Sequence, residues 1–235
     1  MERTLVFEET FVSGTKLNEE VWSYDIGAGS WGNNESQYYT RSDKNVRIEE
    51  DGLKITAHKE EIDGSHYSSG RILTRGKKTW QYGRFEIRAK MPAGKGTWPA
   101  IWMLGVKEGD EGWPAIGEID IMEHVGRTQD IVHFSLHTKK YNHRDKTQIT
   151  HVEKIDDVTT SFHDYVLDWD AEKIAFEVDG KQQACFYKKD YADSWPFDKP
   201  YYLILNLAIG GGFGGEIDDS IFPQTLQIQS IRIYQ

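Results

Sequence analysis

Disulfides, membrane spans and long helices are all missing from this chain of 235 residues. Its one cysteine, Cys185, allows no intrachain disulfide and says nothing firm about redox compartment. The longest apolar stretch, residues 201–209, falls far short of the ~18 residues a membrane span needs. Positive charge is also scarce, with 28 Lys and Arg against 38 Asp and Glu for a net charge of −10. That balance argues against nucleic acid, anionic membrane surfaces and highly sulfated polymers as partners, because each needs a basic face. The opening MERTLVFEET is too charged to read as a signal peptide, so any export signal is expected to have been removed or never to have existed. Aromatic residues, by contrast, make up 13% of the chain and include eight tryptophans. They supply enough apolar surface to exclude disorder. Flat rings with a polar edge suit either a packed core or the stacking of sugars.

Period-2 alternation dominates the pattern. Val46, Ile48, Leu53, Ile55 and Ala57 flank Asp51-Gly52, which predicts a hairpin with that dipeptide at the turn. Ile174, Phe176 and Val178 lead in the same way through Asp179-Gly180 into residues 181–187. Further strands are predicted over 70–74, 82–90, 98–104, 117–124, 132–138, 165–169, 201–208 and 226–234. A short helical turn is expected only at residues 17–22, with Asn18 as its cap. Polar loops are predicted at 30–37, 60–69, 107–112, 139–157 and 210–220. The GGGFGG run at 210–215 lacks a following helix and a Lys-Ser/Thr pair, so it reads as a turn beside a groove rather than a phosphate loop. About a dozen short strands without a composition break predict an all-β sandwich or barrel in a single domain spanning 1–235.

The most informative segment is GEIDIMEH, residues 117–124. Ile119 and Ile121 alternate with Glu118 and Asp120, placing the two acids on one face of a strand. Glu123 stands at an odd offset and on a regular strand would face the other way. One inserted residue, a β-bulge at Ile121-Met122, would return it to the face of Glu118 and Asp120. Three acids along one face repel one another and raise at least one pKa. Paired carboxyls of this kind serve glycoside hydrolysis, where one attacks the sugar and the other protonates the leaving oxygen. A solvated acidic face and a calcium or magnesium site fit the same spacing.

At these residues the chain resembles glycoside hydrolase family 16, and within it the bacterial endo-β-1,3-glucanases (laminarinases). Glu118, Asp120 and Glu123 match the family pattern Glu-x-Asp-x-x-Glu. Matching blocks recur in order: WGNNESQYY (31–39), SGRILT (69–74), the long run 82–104, HFSLHT (133–138), YNH (141–143), DYVLDW (164–169), LILNLAIGG (203–211) and IRIYQ (231–235). The spacing with one extra residue is similar to that of the group that also holds agarases and carrageenases. The resemblance implies a jelly-roll β-sandwich of two antiparallel sheets with a substrate cleft across its concave face.

It implies roles as well: Glu118 as nucleophile, Glu123 as general acid/base and Asp120 as the assisting carboxylate. Trp98, Trp102 and Trp113 match tryptophans lining sugar subsites, and His137 a cleft histidine. Asn33 and Arg71 fall in blocks that contact sugar hydroxyls on the non-reducing side, with an ordinary structural ion pair the alternative for Arg71. Asn206 interrupts an apolar strand, where a buried amide must be paired, and is expected to bind substrate, with a strand-to-strand hydrogen bond the alternative. Tyr141, Asn142 and His143 match a loop near the leaving-group side. The implied activity is retaining hydrolysis of internal β-1,3 bonds in laminarin-like, and mixed-linkage, β-glucans by a secreted monomer whose chemistry needs no cofactor. An agar- or carrageenan-type galactan hydrolase and a non-catalytic jelly-roll lectin are the alternatives. One departure concerns a structural calcium that relatives hold on the convex face with a C-terminal Asp. Gln229 stands there in this chain, with carbonyls expected from around Glu8 and Gly52, which places the ion in doubt.

Overall fold

The computed structural model describes residues 3–12 and 16–235. In chain order its strands are β1 (Leu5–Glu9), β2 (Ser23–Tyr24), β3 (Gln37–Tyr39), β4 (Val46–Glu49), β5 (Gly52–Ile62), β6 (Ser65–Ser69) and β7 (Arg71–Leu73). There follow β8 (Gly83–Lys90), β9 (Thr97–Gly105), β10 (Glu118–His124), β11 (Ile131–His137), β12 (Ile149–Lys154) and β13 (His163–Trp169). The last four are β14 (Lys173–Val178), β15 (Lys181–Tyr187), β16 (Tyr201–Ile209) and β17 (Gln224–Tyr234). Helix is limited to short turns such as α1 (Gly211–Gly214).

Two sheets face each other. One has seven strands in the order β12-β11-β10-β9-β16-β7-β2; the other has ten and runs β15-β14-β13-β8-β17-β5-β6-β3, with β1 on β17 and β4 on β5. Pairing among the described strands is antiparallel except between β3 and β6. Alternate side chains from both layers close one core. Ile101, Met103, Ile119, Phe134, Leu203 and Leu205 enter from the seven-stranded sheet. Phe85, Ile87, Leu167, Trp169, Ile231 and Ile233 enter from the other. Each such side chain contributes about 1.5–3 kcal/mol by leaving water. The apolar run at 201–209 is β16, a central strand buried on both sides. Leu203 and Leu205 face the core, while Tyr202 and Ile204 join Leu73, Trp102 and Leu104 on the other side of the sheet.

Most predicted strands appear within a residue or two of their expected ends. Asp179-Gly180 forms the predicted two-residue turn, with Val178 paired to Lys181 and positive φ at both turn residues. Asn18 caps a single turn: its carbonyl accepts from Val21 and Trp22 and its side chain from Glu20 N–H. Three expectations shift. The first hairpin turns at Glu50-Asp51 rather than Asp51-Gly52, because Glu49 pairs with Gly52. Gly52, at φ 115°, is needed for close approach instead, since an added Cβ would meet Ile228 O at 2.4 Å. The segments expected as polar loops at 60–69 and 139–157 contain β6 and β12. In β12 the alternation is disguised, because His151 turns inward to stack on Phe134 while Val152 is exposed.

The two glycines give a test of this assignment. Gly52→Ala is expected to cost about 3 kcal/mol, or about 6–12 °C in melting temperature for a chain of this size. Gly180 has no atom within 4 Å of an added Cβ. Gly180→Ala should cost only about 1 kcal/mol of backbone strain. Thermal melts check both, and equal shifts would contradict the close approach of β5 to β17.

Candidate active site

The residue inserted into β10 builds the site. Asp120 pairs with Ser135 and Glu123 with His133, so three steps on β10 span two on β11. On the β9 side, Asp120 pairs with Trp102 and Met122 with Ile101, which places the extra residue at Ile121. Ile121 and Met122 both enter the core. Glu118, Asp120 and Glu123 therefore all line one cleft of about 880 Å³, at the upper end of pre-formed ligand sites.

Each glutamate has its own indole donor. Trp113 Nε1–H donates to Glu118 Oε2 at 2.9 Å, and Trp98 Nε1–H donates to Glu123 Oε1 at 2.9 Å. Trp102 donates to Asn206 Oδ1 at 2.7 Å, and Asn206 Nδ2 in turn donates to the Tyr39 hydroxyl at 3.1 Å. Asn206, on the cleft side of β16, is thus satisfied in the way a buried amide requires. His137 Nε2 lies 3.1 Å from Asp120 Oδ2 and 3.6 Å from Glu118 Oε1. One atom each from Glu118, Asp120 and His137 lies within 4.8 Å of the others, the one set among the described residues placed to hold a cation.

Burial dominates the electrostatics. Asp120 is 3% exposed, and loss of water pushes its carboxyl up to about 8. Glu123 is pushed up to about 8 by burial and then by Asp120, with Trp98 opposing the shift. Glu118 is also raised, first by burial and then by Asp120. Neighbouring carboxyls in a dry site share protons, so Glu118 and Asp120 together carry one negative charge more readily than two. His124, on the core side of β10, makes no hydrogen bond with either ring nitrogen, and burial lowers it to about 4.

The other predicted residues divide between contact and support. Arg71 makes the structural ion pair and also lines the cleft. Its Nε lies 3.0 Å from Asp25 Oδ2, and its guanidinium lies 5.0 Å from the ring centroids of both Trp31 and Trp102. Asn33 lines the cleft and donates to Glu35 Oε1 at 3.2 Å. Of Tyr141, Asn142 and His143, only His143 reaches the cleft. Asn142 is buried and ties its loop through Thr138 O, Lys139 O and Asp145.

Sequence reasoning did not single out Trp31, Glu35, His133, Arg144 or Phe213, all of which line the cleft. Trp31 and Glu35 lie in the WGNNESQYY block, and Phe213 is the one side chain with a ring in GGGFGG. Its ring meets Trp98 edge-on at 5.5 Å and His133 edge-on at 4.9 Å. Those signals were present, but only the fold brings them to one cleft.

The Trp98–Glu123 bond generates a signed expectation. An N–H donor favours the ionised carboxylate, so Trp98→Phe should raise Glu123 further. If Glu123 acts as an acid, the alkaline limb of kcat/KM should move up by about one pH unit. An unmoved limb, or one moved downward, would show that this bond does not govern the proton on Glu123.

Comparison with known proteins agrees with the architecture. The family model described as "Glycosyl hydrolases family 16" matches residues 33–221. A β-glucanase of Rhodothermus marinus is 43% identical over 98% of this chain and 85% of its own length. A glucan endo-1,3-β-glucosidase of Niallia circulans is 34% identical over 98% of this chain but only 38% of its own length. Among solved structures, a Rhodothermus marinus laminarinase superposes with a TM-score of 0.96 at 42% identity, covering 100% of this chain and 98% of its own. A Flavobacterium laminarinase gives 0.91 at 45% identity, covering 99% of this chain and 100% of its own. The two-sheet sandwich is accordingly the jelly roll that the sequence blocks implied. On its motif order, fold and sequence identity, the chain belongs to glycosyl hydrolases family 16.

Proposed function

We propose that the protein is a retaining endo-β-1,3-glucanase that cuts laminarin-like polymers and accepts mixed-linkage β-glucans. The observation that carries this reading is the bulge in β10, which sets Glu118 and Glu123 on one cleft wall, each with a separate indole donor. In the first step a Glu118 oxygen bonds to the anomeric carbon as the glycosidic C–O bond breaks, and the Glu123 proton passes to the leaving oxygen. Glu123, now a carboxylate, takes a proton from water as that water displaces Glu118, which restores the starting configuration. Asp120 keeps a proton beside Glu118, with His137 Nε2 3.1 Å from Asp120 and 3.6 Å from Glu118, so that attack does not begin from two adjacent anions. The two carboxyls supply both nucleophile and acid, and the proposed chemistry routes no step through a metal or cofactor. The relatives named as laminarinase and glucan endo-1,3-β-glucosidase support the β-1,3 linkage. A relative described as a non-specific endo-β-1,3(4)-glucanase supports the mixed-linkage extension. A polymer of this size is met outside the cytoplasm, and we place a monomeric enzyme there.

Activity and roles are tested together. Reducing ends should appear from laminarin and lichenan and not from agarose; release from agarose alone would favour the galactan alternative, and release from none the lectin. Glu118→Ala should abolish hydrolysis, with azide restoring turnover to an α-glycosyl azide. Glu123→Ala should spare activated aryl glycosides and yield the β-azide. The opposite stereochemistry would reverse the two roles.

The residues at the family's calcium position do not suit that ion. Gln229 Oε1 accepts from Arg88 Nε at 3.0 Å, and Glu8 Oε1 accepts from Arg232 Nε at 2.8 Å. At the position of the relatives' carboxylate, a guanidinium thus already engages the one side-chain oxygen of Gln229, and no negative charge there offsets the ion's dehydration. We propose a fold stabilised there without metal. Its melting temperature should move by less than about 2 °C between chelator and millimolar calcium, against the ~2.7 kcal/mol that a site filled at 100 times its Kd would add. A rise of many degrees would contradict this.

A further inference from the structure

The chain has ten arginines, in a protein of net charge −10. Eight of them, Arg3, Arg41, Arg47, Arg71, Arg75, Arg84, Arg88 and Arg232, lie within ion-pair distance of a carboxylate. Arg127 and Arg144 have no such partner among the described residues, and both lie on aromatic rings of the cleft. The Arg144 guanidinium sits 4.5 Å from the centroid of Trp113, the donor to Glu118. That of Arg127 sits 5.9 Å from the centroid of Phe213, which packs on Trp98, the donor to Glu123. Asp145, next to Arg144 in the chain, instead accepts from Asn142 Nδ2 through its Oδ2.

The two stand at opposite ends of β11. Phe213 meets His133 at one end, and Trp113 lies 6.1 Å from His137 at the other. Arg144 lines the cleft across β10 from Arg71 and Trp102, while Arg127 stands outside the lining, beside its Phe213. Stacking covers a guanidinium's face and leaves its N–H edge for an acceptor, and a fork of donors matches carboxylate and sulfate best. Their uncompensated charge is felt nearby. His133 is lowered by burial and then by Arg127, and His143 by burial, His137 and Arg144.

We propose that Arg127 and Arg144 are a recognition pair for oxyanion groups, carboxylate or sulfate ester, carried sparsely on the polymer bound in the cleft. The proposal rests on the glucanase reading of the site and narrows its substrate class. Sparse substitution matters, because the net negative charge repels a densely charged chain, while screening over ~8–10 Å leaves single anions to local contacts.

The test compares neutral laminarin with lightly carboxymethylated and lightly sulfated laminarin of the same length, at low and high salt. The readout is the ratio of kcat/KM on substituted to neutral polymer for the wild type and for Arg127→Gln, Arg144→Gln and the double variant. The wild-type ratio should exceed one and fall with salt, and the double variant should lose about tenfold of it, the scale of charge-assisted hydrogen bonds. Loss with only one polymer identifies the oxyanion. A ratio that is the same in wild type and double variant overturns the pair. Retardation of Glu118→Gln in gels containing each polymer reads binding without turnover, so a failure of the glucanase reading stays distinct from a failure of this one. Should the Gln variants not fold, Arg127→Lys and Arg144→Lys, which keep the charge but lose the fork, should lose part of the ratio; no loss overturns the proposal.

Discussion

One extra residue in one strand governs the site. Without the bulge at Ile121, β10 would carry Glu118 and Asp120 into the cleft and turn Glu123 into the core. Ile119, Ile121 and Met122 are fully buried in the core, and their packing holds the distorted strand in register against β9 and β11. The chemistry of the cleft therefore depends on apolar contacts made on the opposite face of the same sheet.

That arrangement gathers three carboxyls where water is scarce. Burial alone raises all three, and each then raises or shares with its neighbour. The tryptophans answer part of this cost. Trp98 and Trp113 present apolar faces to the cleft yet aim their N–H groups at Glu123 and Glu118. Removing such a ring thus changes the proton affinity of a carboxyl as well as the shape of the cleft. Trp102 and Asn206 extend the same device to Tyr39, which donates to Glu35. The acids and the far half of the cleft are held by side-chain networks set on rigid strands.

Much of this was legible in the sequence because alternation and turn chemistry are local. Asp179-Gly180 and the Asn18 turn follow from backbone preferences, and the bulge follows from the odd offset of Glu123 against the alternating isoleucines. β12 was hidden because its inward His151 and Glu153 reverse the usual polarity at a sheet edge. Gly52 looked like a turn residue because sequence cannot show that β17 passes so close. Phe213 and Arg144 were missed because loops distant in sequence bring them to Trp98 and Trp113. The roles of the acids came from family resemblance, whereas their mutual burial came only from the structure.

Burial on the cleft face of β10 makes Asp120 keep its proton near neutral pH, and the stability of Asp120→Asn tests this most directly. An ordinary aspartate releases its proton near 3.9 in the unfolded chain, whereas folded Asp120 holds it to about 8. Between those values the unfolded state binds fewer protons, so wild-type stability falls as pH rises, and an uncharged Asn escapes that fall. The unfolding free energy of the variant, relative to wild type, should therefore grow by several kcal/mol (order of magnitude) from pH 4 to pH 8. A difference that stays flat, or shrinks, across that range would show that Asp120 ionises normally and would contradict the account.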